Sequence, residues 1–121
     1  MRIFAFIRYT CYNSGSWSSR TNSVQTVPYD LLERGYANQV CIDFSTVVVD
    51  LMKSRHSEKP QVEWKVGDVR NMTEIDTKSV DVAFDKGTLD AMIYGSPWSP
   101  PEDVLENSGK YMKEVCLRTT E

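Results

Sequence analysis

Apolar positions in the central part of the chain alternate between two patterns, one typical of strands and one typical of helices. Residues 39 to 42 and 80 to 84 are short apolar runs, and residues 62 to 66 alternate with the period of two typical of a strand with one covered face. Between residues 46 and 59 the apolar positions instead recur every three to four residues, as they do along one face of a helix. Strands that alternate with helices predict a parallel sheet in an α/β fold.

Two helices are expected in the first half of this pattern. Residues 29 to 34 form a short helical stretch that Gly35 can end in a left-handed cap. The second helix can be capped by Ser45 or Thr46 and is ended by Pro60. Its predicted buried face consists of Val47, Val48, Leu51 and Met52.

The last predicted helix has a clear start signal. Ser99 is expected to cap it, Pro100 to occupy the first position, and Glu102 to return a hydrogen bond to the cap. The apolar positions that follow are predicted to pack as one stripe against the sheet: Val104, Leu105, Ser108, Tyr111, Met112, Val115 and Cys116.

The first 28 residues differ in composition from the rest of the chain. Residues 2 to 9 are a candidate strand, and residues 12 to 28 are a serine-rich polar stretch expected to form a loop. Three arginines and no acidic residue give residues 1 to 29 a net charge of +3, which leaves −6 for the remainder. We therefore expect a divergent segment at 1–28 followed by a partial domain at 29–121.

The size and charge of the chain exclude several classes of function. Its 121 residues suffice for one domain with a single core. A net charge of −3 and a pI of about 5.2 give no overall basic field, so nucleic acid is not an expected partner. No apolar run approaches the roughly 20 residues that cross a bilayer, so no membrane-spanning role is expected.

The thiols and the single imidazole do not form a metal site or a disulfide framework. Cys11, Cys41 and Cys116 are widely separated, and His56 is the only histidine. We expect reduced thiols, with Cys41 and Cys116 partly buried, and a surface or capping role for His56 at a helix end. The expected location is the cytoplasm. An acid-free start rich in arginine and serine leaves a mitochondrial transit peptide as the alternative.

Three aspartates stand where predicted strands end. Asp43, Asp68 and Asp85 should meet at one edge of the sheet, because ligands of parallel α/β sheets bind outside the carboxyl ends of the strands. Carboxylates in these positions can accept the hydroxyl hydrogens of a ribose and the amino hydrogens of an adenine. Aspartate is also common at such junctions as a cap or turn residue, so both interpretations remain open.

Four segments together resemble a known family. They read LLERGY at residues 31 to 36, IDFS at 42 to 45, GDV at 67 to 69 and DVAFDKGTLDA at 81 to 91. They are similar to class I S-adenosylmethionine-dependent methyltransferases, in particular to the methyltransferase-like lysine methyltransferases that modify translation elongation factor 1-alpha. The resemblance covers residues 29 to 117. It implies a Rossmann-like methyltransferase fold, S-adenosylmethionine as cofactor and a protein substrate, such as a translation elongation factor.

The resemblance also implies which residues bind the cofactor. Asp43 would hold the ribose hydroxyls, with Phe44 beside the adenine. Asp68 and Val69 would contact the adenine edge. All four are cofactor-binding candidates by resemblance to the family's IDFS and GDV segments.

The DKGTLDA run supplies the candidates nearest the chemistry. By resemblance, Asp85 and Lys86 would lie near the methionine part of the cofactor and the methyl-transfer mouth, as cofactor-binding and catalytic residues. Asp90 and Trp98 would lie closer to the acceptor protein. A structural ion pair or a turn-stabilising role is equally open for Lys86 and Asp90, and Trp98 could be merely exposed.

The chain departs from the family pattern at both ends. A G-x-G-x-S loop precedes the LLERGY segment in the family, whereas residues 23 to 28 here read SVQTVP, and Gly15 is the only glycine before Gly35. Glycines in that loop let the backbone approach the cofactor. Further strands follow the last helix in the family, but this sequence stops at Glu121. We therefore expect a partial sheet, with a truncated or misassembled gene product as its origin.

Three functions fit these observations to different degrees. The first is an S-adenosylmethionine-dependent methyltransferase acting on a protein lysine. The second is a catalytically inactive methyltransferase-like fragment that serves, if at all, as a binding or partner subunit. A nicotinamide-dependent oxidoreductase is the third, since an acid after the second strand also suits that ribose, but it leaves DKGTLDA unexplained.

Overall fold

The structure is a computed structural model that describes residues 1–7, 27–93 and 98–120. The elements of these residues are, in chain order, β1 (Arg2–Ile7), α1 (Val27–Glu33), β2 (Asn38–Asp43), α2 (Thr46–Arg55), β3 (Val62–Val66), β4 (Val82–Lys86), α3 (Thr88–Met92) and α4 (Glu102–Arg118). Most of the predicted serine-rich loop, together with Cys11 and Gly15, lies outside the described residues.

The four described strands form one parallel sheet in the order β3-β2-β1-β4. Ile3 of β1 pairs with Gln39 of β2 on one side and with Val82 of β4 on the other. The predicted α/β fold with a parallel sheet and flanking helices is thereby confirmed. The candidate strand at the start of the chain is the strand that joins β2 to β4.

Helices α1 and α2 cover one face of the sheet over β2 and β3. Tyr29 of α1 and Met52 of α2 pack with Cys41 and Trp64 in one buried cluster. The Trp64 Nε1 donates a hydrogen bond of 3.1 Å to the Tyr29 hydroxyl, and His56, which caps the C-terminus of α2, lies against the Tyr29 ring at 3.7 Å between centroids. Of the surface or capping role predicted for His56, the structure shows the capping position.

The other face is covered by the 69–80 segment and by α4. Val40, Ile42, Met72, Ile75 and Tyr111 form the centre of this second cluster, together with Val80. The backbone of Val80 also forms a parallel bridge with Thr119 just after α4. Among the described helices, none is long and apolar enough to cross a membrane.

Helix α2 turns a different face to the sheet than its spacing predicts. Ser45 caps the helix by accepting a hydrogen bond from Val48 N at 3.3 Å, as expected. Val49 and Met52 lie in the core, whereas Val47 is 73% exposed and Leu51 is also exposed. The predicted burial of Val47 and Leu51 was wrong, because Val47/Leu51 and Val48/Met52 have the same four-residue spacing and only packing selects between them.

The start of α4 and the width of its buried face also differ from the prediction. The helix begins at Glu102 with Pro101 in the cap position and has no side-chain cap hydrogen bond, so the predicted Ser99 cap was wrong. A residue before proline is disfavoured in the helical region, which keeps Pro100 outside the helix. Tyr111 is buried, but the predicted burial of the other flank was wrong: Leu105, Met112 and Cys116 are exposed.

Candidate functional site

A cavity of about 650 Å³ opens at the carboxyl ends of the parallel strands. This is the edge at which parallel α/β sheets bind ligands, and the volume suits a small-molecule cofactor. Residues from β2, β3, α3 and α4 and the turns beside them line it: Ile42, Asp43, Phe44, Val66, Gly67, Asp68, Val69, Arg70, Thr88, Met92, Asp103, Val104 and Asn107.

Asp43 ends β2 at the wall of the cavity. Its side chain is only 2% exposed, and Oδ1 accepts a hydrogen bond of 2.7 Å from Ser45 N at the start of α2. Its carbonyl accepts from Gly67 N at 3.0 Å, which ties the end of β2 to the end of β3. A Cβ on Gly67 would lie 3.3 Å from the Ile42 side chain, so the absence of a side chain at Gly67 permits this close approach.

Asp68 stands at the end of the neighbouring strand and is held by Arg70. The guanidinium donates to both carboxylate oxygens, with Nη2 at 2.7 Å from Oδ2 and Nε at 2.9 Å from Oδ1. The hydrogen bond from Arg70 holds the pKa of Asp68 below its ordinary value. Arg70 Nη1 also donates to Asn107 Oδ1 at 2.8 Å, so one side chain joins the end of β3 to α4.

Asp85 makes its contacts within the fold. Its carboxylate accepts hydrogen bonds from Thr88 N at 2.8 Å, from Leu89 N at 3.0 Å and from the Tyr111 hydroxyl at 2.7 Å. Burial, and secondarily the neighbouring Asp85 carboxylate, raises the pKa of Tyr111 well above its ordinary value. Asp85 thus joins β4, α3 and α4, with Gly87 in the left-handed conformation (φ 85°) that the turn between them requires.

The structure brings four of the predicted site residues into the cavity wall and places the other four beyond it. Those in the wall are Asp43, Phe44, Asp68 and Val69; those beyond it are Asp85, Lys86, Asp90 and Trp98. Asp85 and Lys86 end β4, Asp90 is exposed on α3, and Trp98 is 97% exposed. The catalytic and substrate-binding roles assigned to these four remain predictions.

Thr88 is a cavity residue that sequence reasoning missed. It is 6% exposed, and within the described residues its Oγ1 is a buried atom with no hydrogen-bond partner. A buried hydroxyl without a partner is rare in folded proteins and, in a cavity wall, suits contact with a polar ligand. Thr88 lies inside the DKGTLDA run, which was the available signal. Asn107 and Asp103 reach the cavity from α4, and no local motif marked them.

Most of the chain matches known proteins. No protein family model matches the sequence. EEF1A lysine methyltransferase 4 of Mus musculus is 35% identical over 89 residues, and its counterpart of Bos taurus is 32% identical over 89 residues. This segment belongs to the methyltransferase-like family close to those enzymes. Each alignment covers 72% of this chain, and the chain spans about a third (34%) of the length of either relative.

The cavity residues fit the cofactor that the methyltransferase family implies. Carboxylates stand at the ends of two adjacent strands, Ile42 and Val66 line the same cavity, and the Thr88 hydroxyl in its wall has no hydrogen-bond partner among the described residues. Adenosine offers hydroxyl and amino donors to such acceptors, and a flat apolar ring to such side chains. Among the described residues, no group of three or more histidine, cysteine, aspartate and glutamate side chains could hold a metal ion.

Proposed function

We propose that the cavity at the strand ends binds S-adenosylmethionine and that the chain carries the cofactor-binding part of a protein-lysine methyltransferase. The observation that supports this most is the placement of Asp43 and Asp68 at the ends of adjacent strands β2 and β3, in the wall of one cavity of about 650 Å³. The family membership of the same segment supports the same cofactor.

Each half of the nucleoside would meet a different strand end. Asp43 would accept hydrogen bonds from the ribose hydroxyls, because it is a buried carboxylate whose Oδ1 is already oriented by Ser45 N. Asp68, kept ionised and oriented by Arg70, would accept from the adenine amino group, with the Val69 backbone beside the ring edge. Phe44, exposed at the rim of the cavity, would cover the adenine face.

The chemistry proposed needs no covalent intermediate on the protein. S-adenosylmethionine supplies an electrophilic methyl group on its sulfonium sulfur. A neutral lysine amine would attack this methyl carbon as the methyl–sulfur bond breaks. S-adenosylhomocysteine would be the leaving group, and the lysine proton would pass to solvent or to a nearby base. The protein would then contribute by aligning the methyl donor with the lysine acceptor and by excluding water from the opening of the cavity. Asp85 would act by holding β4, α3 and α4 together.

The acceptor proposed is a lysine of a translation elongation factor. This follows from the names of the relatives in Mus musculus and Bos taurus, which are EEF1A lysine methyltransferases. The test is incubation of the purified chain with methyl-labelled cofactor and purified elongation factor 1-alpha, followed by mass spectrometry of the factor. A labelled lysine in the wild-type reaction that is lost in Asp43→Asn and kept in Asp50→Asn, an exposed aspartate of α2, supports the proposal.

A second candidate is a methyltransferase-like chain that binds cofactor or partner without catalysis. It is favoured by the geometry at Asp85, whose carboxylate is engaged in three hydrogen bonds inside the fold and lies beyond the cavity wall. Cofactor binding with no labelled lysine would favour this candidate. The absence of both cofactor binding and labelling would contradict the first candidate and leave only partner binding for the second.

A further inference from the structure

One flank of α4 is fixed against the rest of the molecule by polar contacts. Glu114 Oε2 accepts a hydrogen bond from Met72 N at 2.7 Å and from Arg118 Nη2 at 2.8 Å. Arg118 Nη1 donates to Ile75 O at 2.6 Å. These contacts, with Tyr111 buried on the same side, set the rotation of the helix about its axis.

The opposite flank carries an apolar row that the described residues leave open. Leu105 is 56% exposed, Met112 is 45% exposed, and Cys116 is exposed. A Cβ built on Gly109 would meet no heavy atom within 4 Å. Leu105, Gly109, Met112 and Cys116, here called the outer seam, are spaced by four, three and four residues. This is the repeat with which helices pack side by side in coiled coils.

Charge along α4 is divided between its two halves. The acidic residues Glu102, Asp103 and Glu106 precede the middle of the helix, and Lys110 and Lys113 follow it, while Glu114 and Arg118 pair with each other on the fixed flank. Glu106 also pairs with Lys110 of its own helix at 2.6 Å, with both side chains more than half exposed. Glu106 and Lys113 are seven residues apart, so they flank the outer seam on the same side. An antiparallel copy of α4 would place the acidic half of each helix against the basic half of the other. A parallel copy would align like charges.

We infer that the outer seam is a homodimer interface in which α4 packs antiparallel to α4 of a second copy about a twofold axis near Gly109. In this arrangement Glu106 of each copy faces Lys113 of the other, so one contact occurs twice. Leu105 and Met112 are removed from water, and Gly109 lets the two helix backbones approach closely. The seam residues are separate from the cofactor cavity wall, so association does not require cofactor.

Charge reversal tests both the surface and the partner. We expect the purified chain to sediment as a dimer at micromolar concentration. Glu106→Lys or Lys113→Glu should each raise the dimer dissociation constant by about tenfold, because two attractive pairs become repulsive. The double reversal Glu106→Lys/Lys113→Glu should restore most of the lost affinity, although Glu106→Lys also breaks the pair with Lys110 of its own helix. Lys53→Glu, an exposed lysine of α2, is the matched control and should leave it unchanged.

Three results would overturn the inference. They are a monomer across the whole concentration range, heterogeneous aggregates in place of a dimer, and a dimer whose dissociation constant does not change with the charge reversals. Met112→Gln gives an independent measurement, since it removes apolar seam surface without changing charge and should also weaken the dimer. Circular dichroism checks that each exposed substitution leaves the fold intact.

Discussion

The ion pair between Asp68 and Arg70 fixes an acceptor at the cavity wall. Arg70 donates to both carboxylate oxygens of Asp68 and to Asn107 of α4. Both charged side chains are close to half exposed, so the pair contributes little to stability but sets the direction of the carboxylate. Arg70 is therefore a positioning residue for the adenine site that we propose.

Arg70→Met should weaken binding of S-adenosylhomocysteine by about tenfold while leaving the unfolding free energy nearly unchanged. Arg70→Lys should recover only part of the affinity, because lysine cannot reproduce the two-pronged contact of the guanidinium. Titration calorimetry measures the affinity, and Lys53→Met is the matched loss of an exposed cation. Equal affinities for Arg70→Met and the control would refute the positioning role.

Thr88 permits a prediction in which stability and binding move in opposite directions. Thr88→Val removes a buried hydroxyl that has no hydrogen-bond partner among the described residues, so the unfolding free energy should rise by about 1 kcal/mol. If the hydroxyl contacts the cofactor, affinity should fall at the same time. Urea unfolding and calorimetry on the same variant separate the two effects. A drop in stability with unchanged affinity would show that the hydroxyl serves the fold.

At the scale of elements, Asp85 in the DKGTLDA run joins β4, α3 and α4. Its carboxylate caps α3 through Thr88 N and Leu89 N and accepts from Tyr111 of α4. Tyr111→Phe removes one hydrogen bond to a charged group and should lower the unfolding free energy by about 1.5 kcal/mol. Tyr36→Phe, an exposed tyrosine, is the control for urea unfolding. Equal effects of the two substitutions would argue that the Asp85 contact does not stabilise the junction.

The sequence predicted each described element except the short helix α3, and it predicted less accurately which faces of the helices are buried. The residues of β3 were predicted with their exact bounds, because the period of two is interrupted by Gly67. β4 lies two residues later than predicted, at Val82–Lys86, because Asp85 is still part of the strand. The faces that α2 and α4 bury depend on tertiary packing, which spacing alone does not contain.

The same limit applies to the candidate site. Asp43 and Asp68 could be found because strand ends in a parallel sheet meet at one edge. Asn107 could not, since it reaches the cavity only through the packing of α4 and its hydrogen bond with Arg70. The inward contacts of Asp85 likewise depend on Tyr111, 26 residues further along the chain.

At the scale of the whole molecule, buried tyrosine hydroxyls and a buried thiol with raised pKa values predict that the folded state is destabilised at alkaline pH. Burial raises the pKa of Tyr29 to about 12, and burial also raises the pKa values of Cys41 and Tyr111. The unfolded state loses the Cys41 proton above about pH 8.5 and the tyrosine protons above about pH 10, while the folded state keeps them. Stability should therefore begin to fall above about pH 8.5 and fall most steeply between about pH 10 and 12.

Urea unfolding at pH 9, 10.5 and 11.5 measures this decline. Tyr29→Phe should start from a lower stability, because the Trp64 indole loses its acceptor, but should show a shallower decline with pH. A decline equally steep in wild type and variant would mean that Tyr29 does not contribute to the alkaline transition.

Calorimetric titration of the purified chain with S-adenosylhomocysteine tests the proposed cofactor cavity most directly. We predict micromolar binding to the wild type and to Asp50→Asn. Asp43→Asn should weaken that binding by about a hundredfold, because it removes the charge that accepts the ribose hydroxyls. A folded wild-type chain that takes up no ligand, or an Asp43→Asn variant that binds as tightly as wild type, would contradict the proposed site.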